Sequence, residues 1–274
     1  MNPMIRKELR QRMRERRAWL LPSLYLLVLG GVVVLAYFLA NEGTPFQVDD
    51  RQGASIGIAI FLTVIYTQLT LLLLLGPVFS AGSVTIEKEQ RTLSMLLTSL
   101  LSSAEIWFGK FTSALLFLVL LLVSSLPVLA LVFSLGGVGP EDLARALAMT
   151  LLILASMCAL GLYLSSIFRR SVHSTAVCYA AVIALSGVTA IVFIFLQSHW
   201  EKVVASMHSA QPPAMPRYYF TPLYLNPYYA LTVSLMHTRQ KFPDWAICAV
   251  VFFALGLLAA FLAFRNIRRR GESG

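Results

Sequence analysis

The chain has 274 residues, 58% of them hydrophobic and 13% charged, with a formal net charge of +9. Soluble domains carry about a quarter of their residues as Asp, Glu, Lys and Arg, so this composition excludes an ordinary water-soluble fold and marks an integral membrane protein. The basic residues border apolar runs and form no groove interleaved with aromatics, which argues against nucleic acid as a partner.

At the N-terminus, MIRKELRQRMRERRAW places Ile5, Leu9 and Met13 on one helical face among arginines. This pattern predicts an amphipathic interfacial helix over residues 1–18, its arginines near anionic lipid headgroups. The same arginines serve equally to fix topology.

Six apolar runs follow, at Trp19–Ala40, Ala54–Phe79, Phe111–Leu135, Ala146–Phe168, Thr175–Gln197 and Trp245–Phe264. Each is long enough to cross a hydrocarbon core of roughly 30 Å as a helix. The first exceeds the apolar core of a signal peptide and is not closed by an A-x-A-like site, so it is expected to be retained. In the second, Thr63, Tyr66, Thr67 and Thr70 give a mildly polar stripe.

Between the second and third runs lies IEKEQRTLSMLLTSLLSSAEIWFGK, residues 86–110. Leu93, Leu96, Leu97 and Leu100 recur at helical spacing while Glu87, Lys88, Glu89, Arg91, Ser94 and Thr98 fill the other faces, which predicts a short amphipathic helix along the membrane surface over about 86–101. Joined at both ends to spanning helices, it serves either as a lever or as an interfacial anchor. Ser102 and Glu105 form a capping box that starts the next helix. Pro127 predicts a kink in the third run.

Only RRSVHS, residues 169–174, separates the fourth and fifth runs. Ala176, Ala180, Ala184 and Gly187 give the fifth a small-residue face of the kind that lets helices approach closely in lipid. Residues 198–244 form one large segment containing PPAMPRYYFTPLYLNPYY; its prolines and tyrosines predict short re-entrant or surface-lying pieces at headgroup depth.

Six spans place both termini on one side. Sixteen Lys and Arg fall in the loops and tails of that side (residues 6–17, 88–110, 169–170 and 265–270) and six on the other, so the termini are expected in the cytoplasm and the protein in the cell's inner, plasma membrane. The fold class is therefore an all-α polytopic membrane protein of six transmembrane helices.

None of the six runs contains Asp, Glu, Lys or Arg. A charge at mid-membrane costs about 2.5–3.5 kcal/mol and is kept where ions or protons are handled, so ion-driven pumping has no visible machinery here. His173, His199, His208 and His237 have no metal-ligand spacing, and no H-E-x-x-H or G-x-S-x-G occurs. Cys158, Cys178 and Cys248 fall on different spans and read as small buried hydrophobes. The sequence GKF at 109–111 has Ala104 and Phe111 where a phosphate-binding loop needs glycine and a hydroxyl residue. Neither a catalytic nor a metal site is expected in this chain, and if it does work the driving energy comes from elsewhere.

EKEQRTLSMLLTSLLS followed by EIWFGK resembles the E-x-E-x-G-T-L-x-x-L-L-x-x-P-L-S…E-I-x-x-G-K segment of the type-2 ABC permeases, the membrane subunits of ABC exporters. Glu87, Glu89, Thr92, Leu93, Leu96, Leu97, Leu101, Ser102, Glu105, Ile106, Gly109 and Lys110 match; Arg91 replaces the usual glycine and Leu100 the usual proline. The resemblance extends to the basic N-terminal segment, the six spans and the long loop before the last span.

It implies a coupling helix that docks on a separate ABC ATPase, which would hold the ATP and Mg. The ATPase-coupling residues are then Glu87, Glu89, Arg91, Thr92, Leu93, Leu96 and Leu97, with a smaller contact from Arg169 and Arg170. It also implies a homodimer, or a heterodimer with a second permease, around a cavity bordered by the second and fifth spans. Thr63, Tyr66, Thr67, Thr70, Ala180, Ala184 and Gly187 are the implied path or dimer seam, and Tyr219, Phe220 and Tyr224 the external gate. Substrate would move outward by alternating access. Two other classes stand beside this one: an ATPase-independent transporter or channel, active with the chain alone, and a non-transporting scaffold or sensor.

Overall fold

The computed structural model describes residues 17–41, 50–90, 103–134, 136–206, 215–235 and 244–272. The described residues form helices and no strand. Six helices are long and apolar enough to cross a membrane: Trp19–Leu39, Ile56–Glu89, Ala104–Ser134, Pro140–Ile167, Ser171–Ser206 and Asp244–Asn266. The chain is a multi-pass membrane protein. Most of the predicted interfacial helix at 1–18 lies outside the described residues, as do residues 91–101 of the predicted coupling helix.

The fourth span is the hub. It packs most extensively on the sixth, then on the second, and also meets the third, the fifth and the helical hairpin that precedes the sixth. Its sequence supplies the reason, because Ser156, Cys158, Ala159, Gly161, Ser165 and Ser166 are all buried. Lipid tails are as apolar as leucine, so helices associate where small residues let backbones approach. A Cβ on Gly161 would lie 2.1 Å from Ser80 Oγ of the second span, and one on Gly256 of the sixth would lie 3.2 Å from Ser156 Cα.

The first and fifth spans are peripheral, each with only 11% of its apolar window buried, against 56% for the fourth. Their uncovered residues are large and apolar, among them Leu24, Leu27, Phe38, Ile183, Ile191 and Phe195.

Three spans are locally interrupted. The second loosens at Ala81–Val84 and resumes as the short helix Thr85–Glu89. The third breaks at Ser125, two residues before Pro127, whose ring cannot continue the preceding hydrogen-bond ladder. The fifth contains a π-helical turn at Ala184–Val188 between Ser171–Ile183 and Thr189–Ser206. Boundaries also differ from the apolar runs. The fifth helix continues to Ser206 rather than ending near 197, and the fourth begins at Pro140, where Asp142 Oδ2 accepts from Gly139 N at 3.1 Å and proline occupies the first helical turn.

Beyond the fifth span, the described part of the proline- and tyrosine-rich segment is a 3₁₀ helix, Arg217–Leu225, followed by the helix Pro227–Leu235. Together they make the hairpin that leans on the fourth, fifth and sixth spans.

Candidate functional site

Polar chemistry gathers in two places. One is the end of the second span at Thr85–Glu89; the other surrounds the hairpin.

At the first place, three consecutive charges each reach a different element. Glu87 forms an ion pair of 2.8 Å with Lys110 of the third span, whose side chain is only 1% exposed. Lys110 Nζ also donates to the Ser83 carbonyl at 2.8 Å. Lys88 Nζ donates to the carbonyls of Ser165, Ser166 and Phe168 at the end of the fourth span, at 2.6, 2.8 and 2.8 Å. Glu89 accepts from Ser171 N at 2.7 Å and from Ser171 Oγ at 3.0 and 3.1 Å, at the start of the fifth. Where the second helix loosens, the Val84 and Thr85 N–H groups both donate to the buried Ser165 Oγ at 3.0 Å. Asn266 of the sixth span adds a bond to Ser166 Oγ at 3.2 Å.

Hence Glu87 and Glu89 bind other parts of their own chain. Arg169 and Arg170 are exposed on the turn that Lys88 and Glu89 grip. Arg91, Thr92, Leu93, Leu96 and Leu97 lie outside the described residues.

In the membrane, the second-span stripe divides. The Thr63 and Thr67 hydroxyls donate to their own helix, at Ala59 O and Thr63 O, 2.8 and 2.7 Å away. Tyr66 and Thr232 share a hydrogen bond of 2.6 Å, and Thr70 and Tyr228 one of 2.9 Å, so this part of the stripe faces the hairpin. The second and fifth spans are neighbours, joined by Tyr179 donating to the Leu74 carbonyl at 2.6 Å. Ala180 and Ala184 are exposed, and a Cβ on Gly187 would meet nothing within 4 Å.

Asn226 holds the hairpin together. It is buried at the junction of the two hairpin helices, where its Oδ1 accepts from Tyr228 N at 2.9 Å and Tyr229 N at 3.3 Å, as an N-cap does. Its Nδ2 donates to Ser186 O at 2.8 Å and Thr189 Oγ1 at 3.0 Å. A π turn frees carbonyls from the regular i→i−4 ladder, and Asn226 satisfies one of them.

The three predicted gate residues divide between two walls. Tyr219 packs 5.5 Å from the Trp200 ring and Phe220 5.5 Å from Phe193, both on the fifth span. Tyr224 instead donates to Asp244 Oδ1 at 3.4 Å, at the start of the sixth. Burial and the Asp244 carboxylate together push the Tyr229 phenol well up, so it stays neutral.

Asn226→Leu removes both donated and both accepted bonds and strands acceptors in an apolar setting, each costing about 1–3 kcal/mol. The expected result is a lower thermal unfolding midpoint and faster proteolysis of the hairpin in detergent. Asn226→Asp keeps the cap but sets a carboxylate oxygen against the buried Ser186 carbonyl, so it should lower the midpoint as well.

Lys88, Lys110 and Asn226 are the functional candidates that sequence reasoning passed over. Lys88 reads as part of a polar helix face and Lys110 as a match to the family segment, neither with a bonding role, and Asn226 sits in a stretch without periodicity; its place directly before Pro227 at a helix start is the available signal.

No individual curated protein matches the chain. A family model described as ABC-2 family transporter protein matches residues 3–268, nearly the whole length. Membrane-spanning architecture and this match agree: the chain belongs to the ABC-2 family of transporter proteins, as a membrane permease component of the ABC class.

Proposed function

We propose that this chain is the permease subunit of an ATP-driven exporter, moved by a separate ABC ATPase that binds ATP and Mg at the cytoplasmic face. The carrying observation is the bonded network at Thr85–Glu89, which joins the root of residues 91–101 to the third, fourth and fifth spans. A coupling element rooted there has a route into most of the bundle.

Both termini then lie in the cytoplasm of a cell whose plasma membrane holds the protein. The barely covered first and fifth spans, with the small face at Ala180, Ala184 and Gly187, supply the surface for a second permease, identical or homologous. Alternating access would open the seam between the paired subunits outward when the ATPases close, with Tyr219, Phe220 and Tyr224 at the exit. A path lined by Thr, Tyr, Ala and Gly suits an amphipathic or apolar compound better than a metal ion.

Replacing Leu93 and Leu96 by Asp puts two charges on the predicted docking stripe. Co-purification of the ATPase should be lost while the permease remains folded and in the membrane. Undiminished co-purification refutes the docking assignment.

A further inference from the structure

The turn between the fourth and fifth spans occupies only Phe168–Arg170. It therefore sets two opposite helix poles side by side. The last carbonyls of the fourth span have no partner within their own helix and carry partial negative charge; the first N–H groups of the fifth have none within theirs and carry partial positive charge. Lys88 and Glu89 offer a cation and then an anion, in the same order. Lys88 spends its ammonium on three carbonyls of the first pole, and Glu89 places its carboxylate on the N–H and hydroxyl of Ser171 at the second.

A cation at a helix C-terminus and an anion at an N-terminus are both favourable, and charge-assisted bonds to backbone groups are the stronger kind. With Lys88 half-buried, water competes poorly for its ammonium. Ser165 Oγ closes the same gap from the other side, taking the Val84 and Thr85 N–H groups.

We propose that Lys88 and Glu89 form a two-pole clamp that makes the end of the second span and the fourth–fifth turn one rigid body. Movement entering through residues 91–101 is then delivered straight to the fourth and fifth spans, and the turn bearing Arg169 and Arg170 travels with it. Both are positioning residues: Glu89 serves transmission within the chain rather than the docking face. The rigidity follows from geometry alone, whereas its use in coupling rests on the permease reading.

Spin labels at Ile86→Cys and Val172→Cys, both exposed positions flanking the clamp, report the joint by double electron–electron resonance in nanodiscs, with the three native cysteines replaced by serine or alanine. The expected distance distribution is narrow in the otherwise native chain and at least twofold broader in Lys88→Met. The exchange Lys88→Glu with Glu89→Lys keeps composition and net charge but opposes both poles, so it should broaden the distribution most; Lys88→Arg should stay narrow. A broad distribution in the otherwise native chain, or an unchanged one in Lys88→Met, overturns the clamp.

For coupling, Lys88→Met should still co-purify with the ATPase yet lose at least tenfold of the permease-dependent change in ATP hydrolysis. A retained hydrolysis response overturns the transmission role. If the native chain fails to bind the ATPase, the permease reading falls while the distance measurement still decides the clamp.

Discussion

Lys110→Met is expected to destabilise the protein by about 3–5 kcal/mol, because it removes the buried ammonium that pairs with Glu87 and sets an apolar side chain beside that carboxylate. The sign of a second substitution makes the test specific. Glu87→Gln in the Lys110→Met background removes the carboxylate from beside the apolar side chain, so the double variant should be more stable than Lys110→Met alone. Thermal unfolding of the four proteins in one detergent gives the double-mutant cycle, and a coupling term near zero would mean that the pair is no more than a surface contact. Lys110 also donates to Ser83 O, so some loss should persist in the double variant.

Gly161→Val is expected to prevent assembly of the bundle. Even the Cβ of an alanine would stand 2.1 Å from Ser80 Oγ, 2.8 Å from Ser80 Cβ and 3.3 Å from Ala81 N. Ser80 Cβ is fixed to the backbone and cannot rotate away, so the second and fourth spans must shift apart, whereas the contact with Ala81 N needs only a small adjustment. Core overpacking typically costs about 1–3 kcal/mol, and a branched side chain at a backbone contact lies at or beyond the upper end. Gly161→Ala should fold with a lowered midpoint and be rescued by Ser80→Gly, which removes both close atoms and gives up only the Ser80 bond to Gly76 O. The fraction eluting as a monodisperse peak in size-exclusion chromatography reads all of these variants. If Gly161→Val elutes like the native chain, the second and fourth spans do not touch as described.

The six spans could be read from hydropathy because a membrane core imposes a length and forbids charge, and both constraints write themselves into every span. The hub could not. Nothing in a window average separates the fourth span from the others; its signal is the run of small residues from Ser156 to Ser166, which matters only once a partner helix is known. Lys88 and Lys110 show a different limit. A count of basic residues per loop treats them as solvated markers, yet both lie on membrane-crossing helices, with their ammonium groups bound to helix carbonyls and to Glu87. Pairing over such sequence distances is invisible to local pattern.

The proline- and tyrosine-rich segment was partly readable. Prolines and tyrosines foretold short broken pieces, and Arg217–Leu225 with Pro227–Leu235 are such pieces. The π turn at Ala184–Val188 and its bond to Asn226 left no trace, since a single extra residue in a helical turn does not disturb an apolar run. The threonine stripe was real as a pattern, but its members divide between self-satisfied hydroxyls and hairpin contacts.

The central claim is that a separate ATPase drives this chain from its cytoplasmic end. Its most direct test is ATP hydrolysis by a candidate ABC ATPase carrying a G-x-x-x-x-G-K-[ST] loop, assayed with nanodiscs holding the native chain, the Leu93→Asp/Leu96→Asp variant, or no protein. A several-fold change in rate with the native chain, absent with the variant and the empty discs, is the predicted result. The same rate in all three would contradict the account.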